Sequence, residues 1–452
     1  MLNVKKKIKT MNRIFVLLIL LTQSIVIGQT STAKLFEPAQ IKADIDTLIF
    51  TLIKVHPTFQ NYYQDNNIQN KIDSIKNNIT THLSSIDLFR IMQPLVNIDG
   101  HTTLTYNGEI YPKVENPFFP FKVIIYNNTL YVRENLSEYK SISRGSIIEK
   151  INGISSSQVL NNLIKYLPGE KFTYKTKSLE KEFHLYYWLV YGSYAEFNIS
   201  VNESEMKLKG AKWTDYLEPT KPKFELRFYD NDIAYIYKRS FKPPKDFVHF
   251  VDSAFNAIAD KQIKYLIIDN LNGGGLTDLA DSLIGYFTNE PFRLIEKKMT
   301  RISPLTKDYI DSKKSEGYIE DGYFVQEFPA NNIVRNNQFT GLTYILTGPL
   351  SYSTATCFSA SAKCYKSALI VGEETGQPLF SNGDLNRFIL PNTQIMCYTS
   401  LSKIFMPCND NDTMKGVLPD YYVKPSLDDL LNNSDYTLDY ALKLIREKKD
   451  KE

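Results

Sequence analysis

The chain has 452 residues, 43% of them apolar and 13% aromatic, which excludes a disordered polymer and leaves material for two or three domains. Its formal charge of +3 carries no basic surplus of the kind that nucleic-acid binding requires. The four cysteines, at 357, 364, 397 and 408, are too few for a disulfide scaffold, and none stands in a C-x-x-C or Cys/His spacing that would hold zinc.

At the N-terminus, Lys5, Lys6, Lys7, Lys9 and Arg13 precede the apolar run "IFVLLILL" (Ile14 to Leu21), and polar sequence follows. This pattern predicts a secretory signal peptide over residues 1–28, cut before Gln29; an uncleaved anchor is the competing reading. Cleavage removes five positive charges, leaves the chain near neutral and leaves no stable membrane span. In the oxidising compartment this implies, Cys397 and Cys408 are one candidate pair and free buried thiols the other.

From Phe36 to about Leu95 the apolar residues recur at helical steps, in "IKADIDTLIFTLIKVH", "IQNKIDSIKNNI" and "IDLFRIMQPLV". The helices give way at "NIDGHTTLTYNG", where Asp-Gly marks a turn and the alternation becomes strand-like. A strand-rich unit follows, with Asn127-Asn128 as a hairpin turn and "IIEKIN" as a strand, running to about Val201. After the linker "GAKWTDYLEPTKPK", strands and helices alternate: "YLIID" and "LTYILTG" read as buried parallel strands, "DFVHFVDSAFNAIADK" and "STATCFSASAKCYK" as helices. The expected fold class is α/β, multidomain, with units at 29–112, 113–205 and 206–452.

Ser353 stands where a strand and a Gly348-Pro349 turn lead into a helix. There, unpaired backbone N–H groups and the helix dipole favour a developing negative charge, so it is either a nucleophile or an ordinary N-cap. Ser351 is its neighbour in the turn. Ser359 and Ser361 lie deeper in the helix and read as small residues for close packing. The run "NGGG" (Asn272 to Gly275) is either a tight turn or an oxyanion loop with free backbone N–H groups. Among the histidines, His101 in "DGHT" is the candidate base. His56 reads as a packing residue, and His82, His184 and His249 as surface or core residues.

Taken in order, "DGHT", "GSIIEKING", "YLIIDNLNGGG", "STATCFSASAKCYKSALIVGEETGQ", "LPNT" and "GVLPD" resemble the C-terminal processing, or tail-specific, serine peptidase family. The likeness lies in its secreted bacterial branch, related to the tricorn core peptidase and the retinoid-binding repeats. It implies a helical N-terminal region, a PDZ-like module that captures a carboxylate or an extended strand, and a ClpP/crotonase-like catalytic domain. In the family nineteen residues separate the nucleophile from the Gly of "VGE"; counting back from Gly372 gives Ser353. The resemblance makes His101 the base and backbone N–H groups at Gly274, Gly275 and Thr354 the oxyanion hole. The chain departs from the pattern where Pro378 stands for the dyad Lys, Thr356 for a Glu, and "DNLNGGG" lacks an Arg. Where the tricorn-like branch has a carboxylate just before its "G-V-x-P-D" strand, this chain has Thr413 and Met414, with Asp410 and Asp412 nearby, and the group orienting His101 is unidentified. The function expected is a secreted or periplasmic serine peptidase acting on peptides or proteins with no metal or organic cofactor; the alternative is a weak or inactive binding protein on the same scaffold.

Overall fold

The structure, a computed structural model, describes residues 34–105, 117–333, 335–408 and 414–451. The expected signal peptide and Asp410 and Asp412 lie outside the described residues. Ile41, Ile45, Leu48, Ile49 and Leu52 fall on one helical stripe, so Pro38–Val55 winds as α1 and buries it. Helices α2 (Phe59–Asp65), α3 (Ile68–Asn78) and α4 (Ser85–Val96) complete this unit. The Ser84 hydroxyl caps α4 by accepting the Asp87 N–H at 3.3 Å. A short strand β1 (Thr103–Thr105) then leaves the helices for the last third of the chain.

In the second unit β2 (Phe121–Tyr126) and β3 (Thr129–Asn135) form a hairpin whose turn residues Asn127 and Asn128 both adopt positive φ, 48° and 61°. With β4 (Ile147–Ile151), β5 (Glu196–Val201) and β6 (Ser204–Lys209), they form a sheet in that order, flanked by α5 (Ser156–Leu163) and α6 (Phe172–Tyr191). Helix α6 departs from the strand-rich reading of this stretch. Its Tyr, Phe, Trp and Thr residues each favour strands, but Leu179, Phe183 and Tyr187 stand four residues apart and fill the core of the unit. Non-helical angles at Glu182 kink it.

The third unit contains β7 (Phe224–Tyr229), β8 (Ile233–Lys238), α7 (Pro244–Asp260), β9 (Tyr265–Asp269), α8 (Thr277–Ile284), β10 (Lys297–Arg301), β11 (Tyr318–Glu320) and β12 (Tyr323–Glu327). It continues with β13 (Leu342–Thr347), α9 (Thr354–Cys364), β14 (Leu369–Gly372), β15 (Phe380–Ile389), β16 (Met396–Phe405), β17 (Tyr421–Tyr422) and α10 (Tyr436–Lys449). One sheet has the order β7-β8-β9-β13-β14-β17 and is parallel from β8 onward, as the apolar runs "YLIID" and "LTYILT" require. Helices α7, α8 and α9 cover one face and α10 the other. The second sheet, β11-β12-β10-β16-β15, is antiparallel and takes β1 onto β16. The molecule is thus an α/β multidomain protein.

The disulfide joins Cys364 to Cys408, with Cα atoms 5.7 Å apart. This corrects the considered pairing of Cys397 with Cys408: Cys397 lies on β16 and is buried against the helical unit, with Leu104 and Val96 in the same cluster. Among the described residues no helix is long and apolar enough to cross a membrane, and no group of three metal-ligating side chains occurs.

Candidate active site

Helix α9 begins at Thr354, and the residue before it, Ser353, has φ 57° and ψ −127°. A non-glycine residue pays roughly 1–3 kcal/mol for such angles, and the fold holds it there by burying both neighbours, Tyr352 and Thr354. The sharp strand-to-helix turn pushes the Ser353 hydroxyl out of the helix. Its Oγ lies 3.3 Å from His101 Nε2, across 252 residues of sequence.

The loop after β9 comes up against the same serine. A Cβ built on Gly274 would lie 2.9 Å from Ser353 Cβ, so only glycine permits this approach. Thr354 opens α9 and its N–H therefore has no intrahelical acceptor. Its hydroxyl donates to the Gly275 carbonyl at 2.8 Å and ties helix to loop. Underneath, buried Asn270 donates to the Ala355 carbonyl and to Ser359 Oγ, both at 2.7 Å, and accepts from Lys238 Nζ at 2.6 Å. Burial pushes the Lys238 amine down to about 7. Sequence reasoning missed Lys238, which sits at the end of an apolar strand with no motif around it.

The other serines occupy structural positions. Ser351 Oγ donates to the Asn270 carbonyl at 2.5 Å and accepts the Gly348 N–H at 3.0 Å, which closes the turn. Ser359 and Ser361 are fully buried in α9. His184 stacks on Tyr216, and burial pushes it down to about 3; His82 pairs with Glu37 at the surface, and His249 is exposed.

His101 is anchored through its backbone. Its N–H donates to Asp99 Oδ1 at 2.9 Å, while Asp99 Oδ2 accepts from His56 Nε2 at 2.8 Å and from Ser400 Oγ at 2.7 Å. His56 Nδ1 accepts the N–H groups of Thr58 and Phe59, at 3.1 and 3.0 Å, which places the ring proton on Nε2 facing Asp99. His56, expected to pack, is thus a fully buried partner of Asp99. Burial works against the Asp99 charge, yet the His56 and Ser400 contacts outweigh it and hold the carboxyl well below its usual range. Burial pushes His101 below the ordinary imidazole value; the charges of Asp99 and Asp384 oppose that shift. The buried Nδ1 of His101 lies by the Asn382 backbone and has no hydrogen-bond partner of ordinary geometry among the described residues.

Tyr352 connects this turn to the second unit. Its hydroxyl accepts the Gly100 N–H at 3.0 Å and donates to Glu170 Oε2 at 2.6 Å, and its ring stacks on Tyr174 at 4.4 Å. A Cβ on Gly100 would fall 2.2 Å from that hydroxyl, which explains the glycine of "DGHT". Burial, aided by the Asp99 charge, raises Glu170 to about 8 from 4.5. A carboxyl whose folded value is raised holds its proton longer than in the unfolded chain, so this group costs stability as pH climbs from about 4.5 to about 8. Replacing Glu170 by Gln is therefore expected to flatten the decline of Tm between pH 5 and 8 relative to the parent. Parallel Tm curves for the two proteins would refute the assignment.

Residues 232–423 match Peptidase family S41. No curated protein matches the chain. Among solved structures it is similar to mature CPAF complexed with lactacystin, with a TM-score of 0.67 at 14% identity over 92% of this chain and 99% of that one. It is similar as well to mature CPAF, with a TM-score of 0.64 at 14% identity over 87% and 94% of the two chains. At this identity the structural likeness is one of fold. The strand, glycine loop and helix start that present Ser353 all lie inside the segment that matches Peptidase family S41.

Proposed function

We propose that the chain is a secreted serine peptidase in which Ser353 is the nucleophile and His101 the general base. Ser353 Oγ attacks the peptide carbonyl while His101 Nε2 takes its proton. The tetrahedral oxyanion is held by backbone N–H groups of Gly274 or Gly275 and Thr354, and His101 returns the proton to the leaving amine. Water then repeats the sequence on the acyl-enzyme. The observation that carries this reading is the 3.3 Å contact between Ser353 and His101 at a helix start packed against Gly274. Secretion is supported by the sequence pattern of residues 1–28 and by the Cys364–Cys408 disulfide.

The alternative, a binding protein of weak or no activity, draws on a cavity of about 240 Å³ lined by Ile125, Leu160, Ile164 and Leu179, with Lys177 and Lys424 also lining it. Ser353 and His101 do not line it. A fluorophosphonate probe separates the two readings. The peptidase is expected to be labelled at Ser353, with labelling lost in Ser353→Ala and slowed at least 100-fold in His101→Ala. Folded protein that resists the probe, or labels equally well without His101, would overturn the assignment.

A further inference from the structure

Extended peptides dock by adding a strand to an open sheet edge, so each edge near the site bears on how substrate is held. One edge of the second unit's sheet is flanked by a helix. Strand β2 ends that sheet, but α6 packs along it, and Glu180 Oε2 accepts the Ile125 N–H at 3.1 Å. One outward N–H of β2 is thus already taken by a side chain of α6.

Strand β15 is different. It pairs with β16 on one side, and among the described residues no strand pairs with its other side. At its far end the Leu390 N–H donates to the Ile395 carbonyl at 2.9 Å. Alternation along an antiparallel ladder then turns Phe388 and Asn386 toward β16 and leaves the N–H and C=O groups of Leu385, Arg387 and Ile389 facing outward. The side chains of those three residues are exposed, Leu385 at 60% and Ile389 at 49%. At its near end the strand lies beside His101. The Asn382 carbonyl accepts from Gln377 Nε2 at 3.3 Å and lies by the His101 ring, and a Cβ built on Gly383 would be 3.9 Å from His101 Cε1. From Asn382 to Ile389 the strand spans about 23 Å, room for a peptide of six or seven residues.

We infer that the outer edge of β15 is the substrate platform: an extended segment of a polypeptide substrate adds to it as a strand, with one end delivered to Ser353. This rests on the peptidase reading. The exposed pattern Leu385, Arg387, Ile389 favours a substrate with apolar residues on either side of an acidic one, since cross-strand neighbours on one face pair by chemistry. The ladder supplies affinity for any unfolded chain and the three side chains supply preference.

The test uses the full chain, fluorescein-labelled unfolded casein and p-nitrophenyl acetate, an ester too small to reach the edge. Arg387→Pro removes one outward N–H without touching the β16 ladder. It is expected to lower the ratio of casein to ester kcat/KM at least 10-fold, whereas Arg387→Lys, which keeps the N–H, holds that ratio within about threefold. Hydrogen exchange on Ser353→Ala provides a reading free of catalysis and of the proline: the Leu385, Arg387 and Ile389 amides exchange fast alone and become protected with casein. An unchanged ratio in Arg387→Pro would overturn the inference, as would amides left unprotected under bound casein. So would edge amides already protected in the free protein by pairing of two copies, seen as a dimer that Arg387→Pro dissociates. If casein and ester are both refused by the parent, the peptidase reading fails; casein that protects the edge amides of Ser353→Ala still places an extended chain on β15.

Discussion

Ser353→Ala is expected to reduce peptide hydrolysis to background, a loss on the order of 10⁶-fold in kcat/KM, while the protein stays folded. The serine makes one long side-chain contact, 3.3 Å to His101, and alanine keeps the same Cβ at the same strained angles. Stability should therefore shift by no more than about 1 kcal/mol. Ser351→Ala is the informative contrast two residues away. Its hydroxyl bridges the Asn270 carbonyl and the Gly348 N–H inside the turn, so its removal leaves two buried groups unpaired and costs about 1–3 kcal/mol. Activity should survive in the fraction that folds. Measuring Tm and kcat/KM on both variants separates a nucleophile from a turn-former. A Ser353→Ala protein retaining more than a thousandth of the parent activity would remove Ser353 from the chemistry.

The parts legible in the sequence were those where one local pattern decided the outcome. Ile41 to Leu52 spaced a helix, "YLIID" and "LTYILT" were apolar enough only for strands buried on both faces, and Asn127-Asn128 fitted a tight hairpin turn. Ser353 could be singled out because a helix start has its own electrostatics, which Ser359 and Ser361 in the body of α9 lack. The parts not legible were settled by tertiary packing. Helix α6 reads as strand residue by residue and is helical because Leu179, Phe183 and Tyr187 share one core. The group that fixes His101 was hidden for another reason: a carboxylate two residues upstream looks like part of a turn. Its role appears only when β16 brings Ser400, and the end of α1 brings His56, to the same oxygen, Oδ2. Cys364 found Cys408 because the fold brings the end of α9 to the residues that follow β16, which spacing along the chain does not reveal.

Asp99 should prove a positioning residue with an electrostatic signature. It touches the backbone of His101, not the ring, yet its charge lies close enough to oppose the burial that lowers the ring's proton affinity. A general base works unprotonated, so kcat/KM rises with pH through the His101 value, and burial sets that rise below the usual 6.5. Asp99→Asn removes a negative charge that favours the protonated ring. The acid limb is then expected to move to still lower pH, and the plateau to fall about 10- to 100-fold because the imidazolium formed during attack loses the same support. Asn also presents an amide donor where His56, Ser400 and the His101 N–H all donate, so some stability is lost with the charge. The pH profile distinguishes the two effects, since a merely loosened site lowers the plateau without moving the limb. His56→Gln completes the comparison: it keeps an acceptor for the Thr58 and Phe59 N–H groups and a donor for Asp99, and it leaves the carboxylate charged. Its limb should stay where the parent's is even if kcat drops. An Asp99→Asn limb that does not move, or that moves to higher pH, would mean that the Asp99 charge does not act on His101 and that Asp384 or the Asn382 backbone sets the base instead.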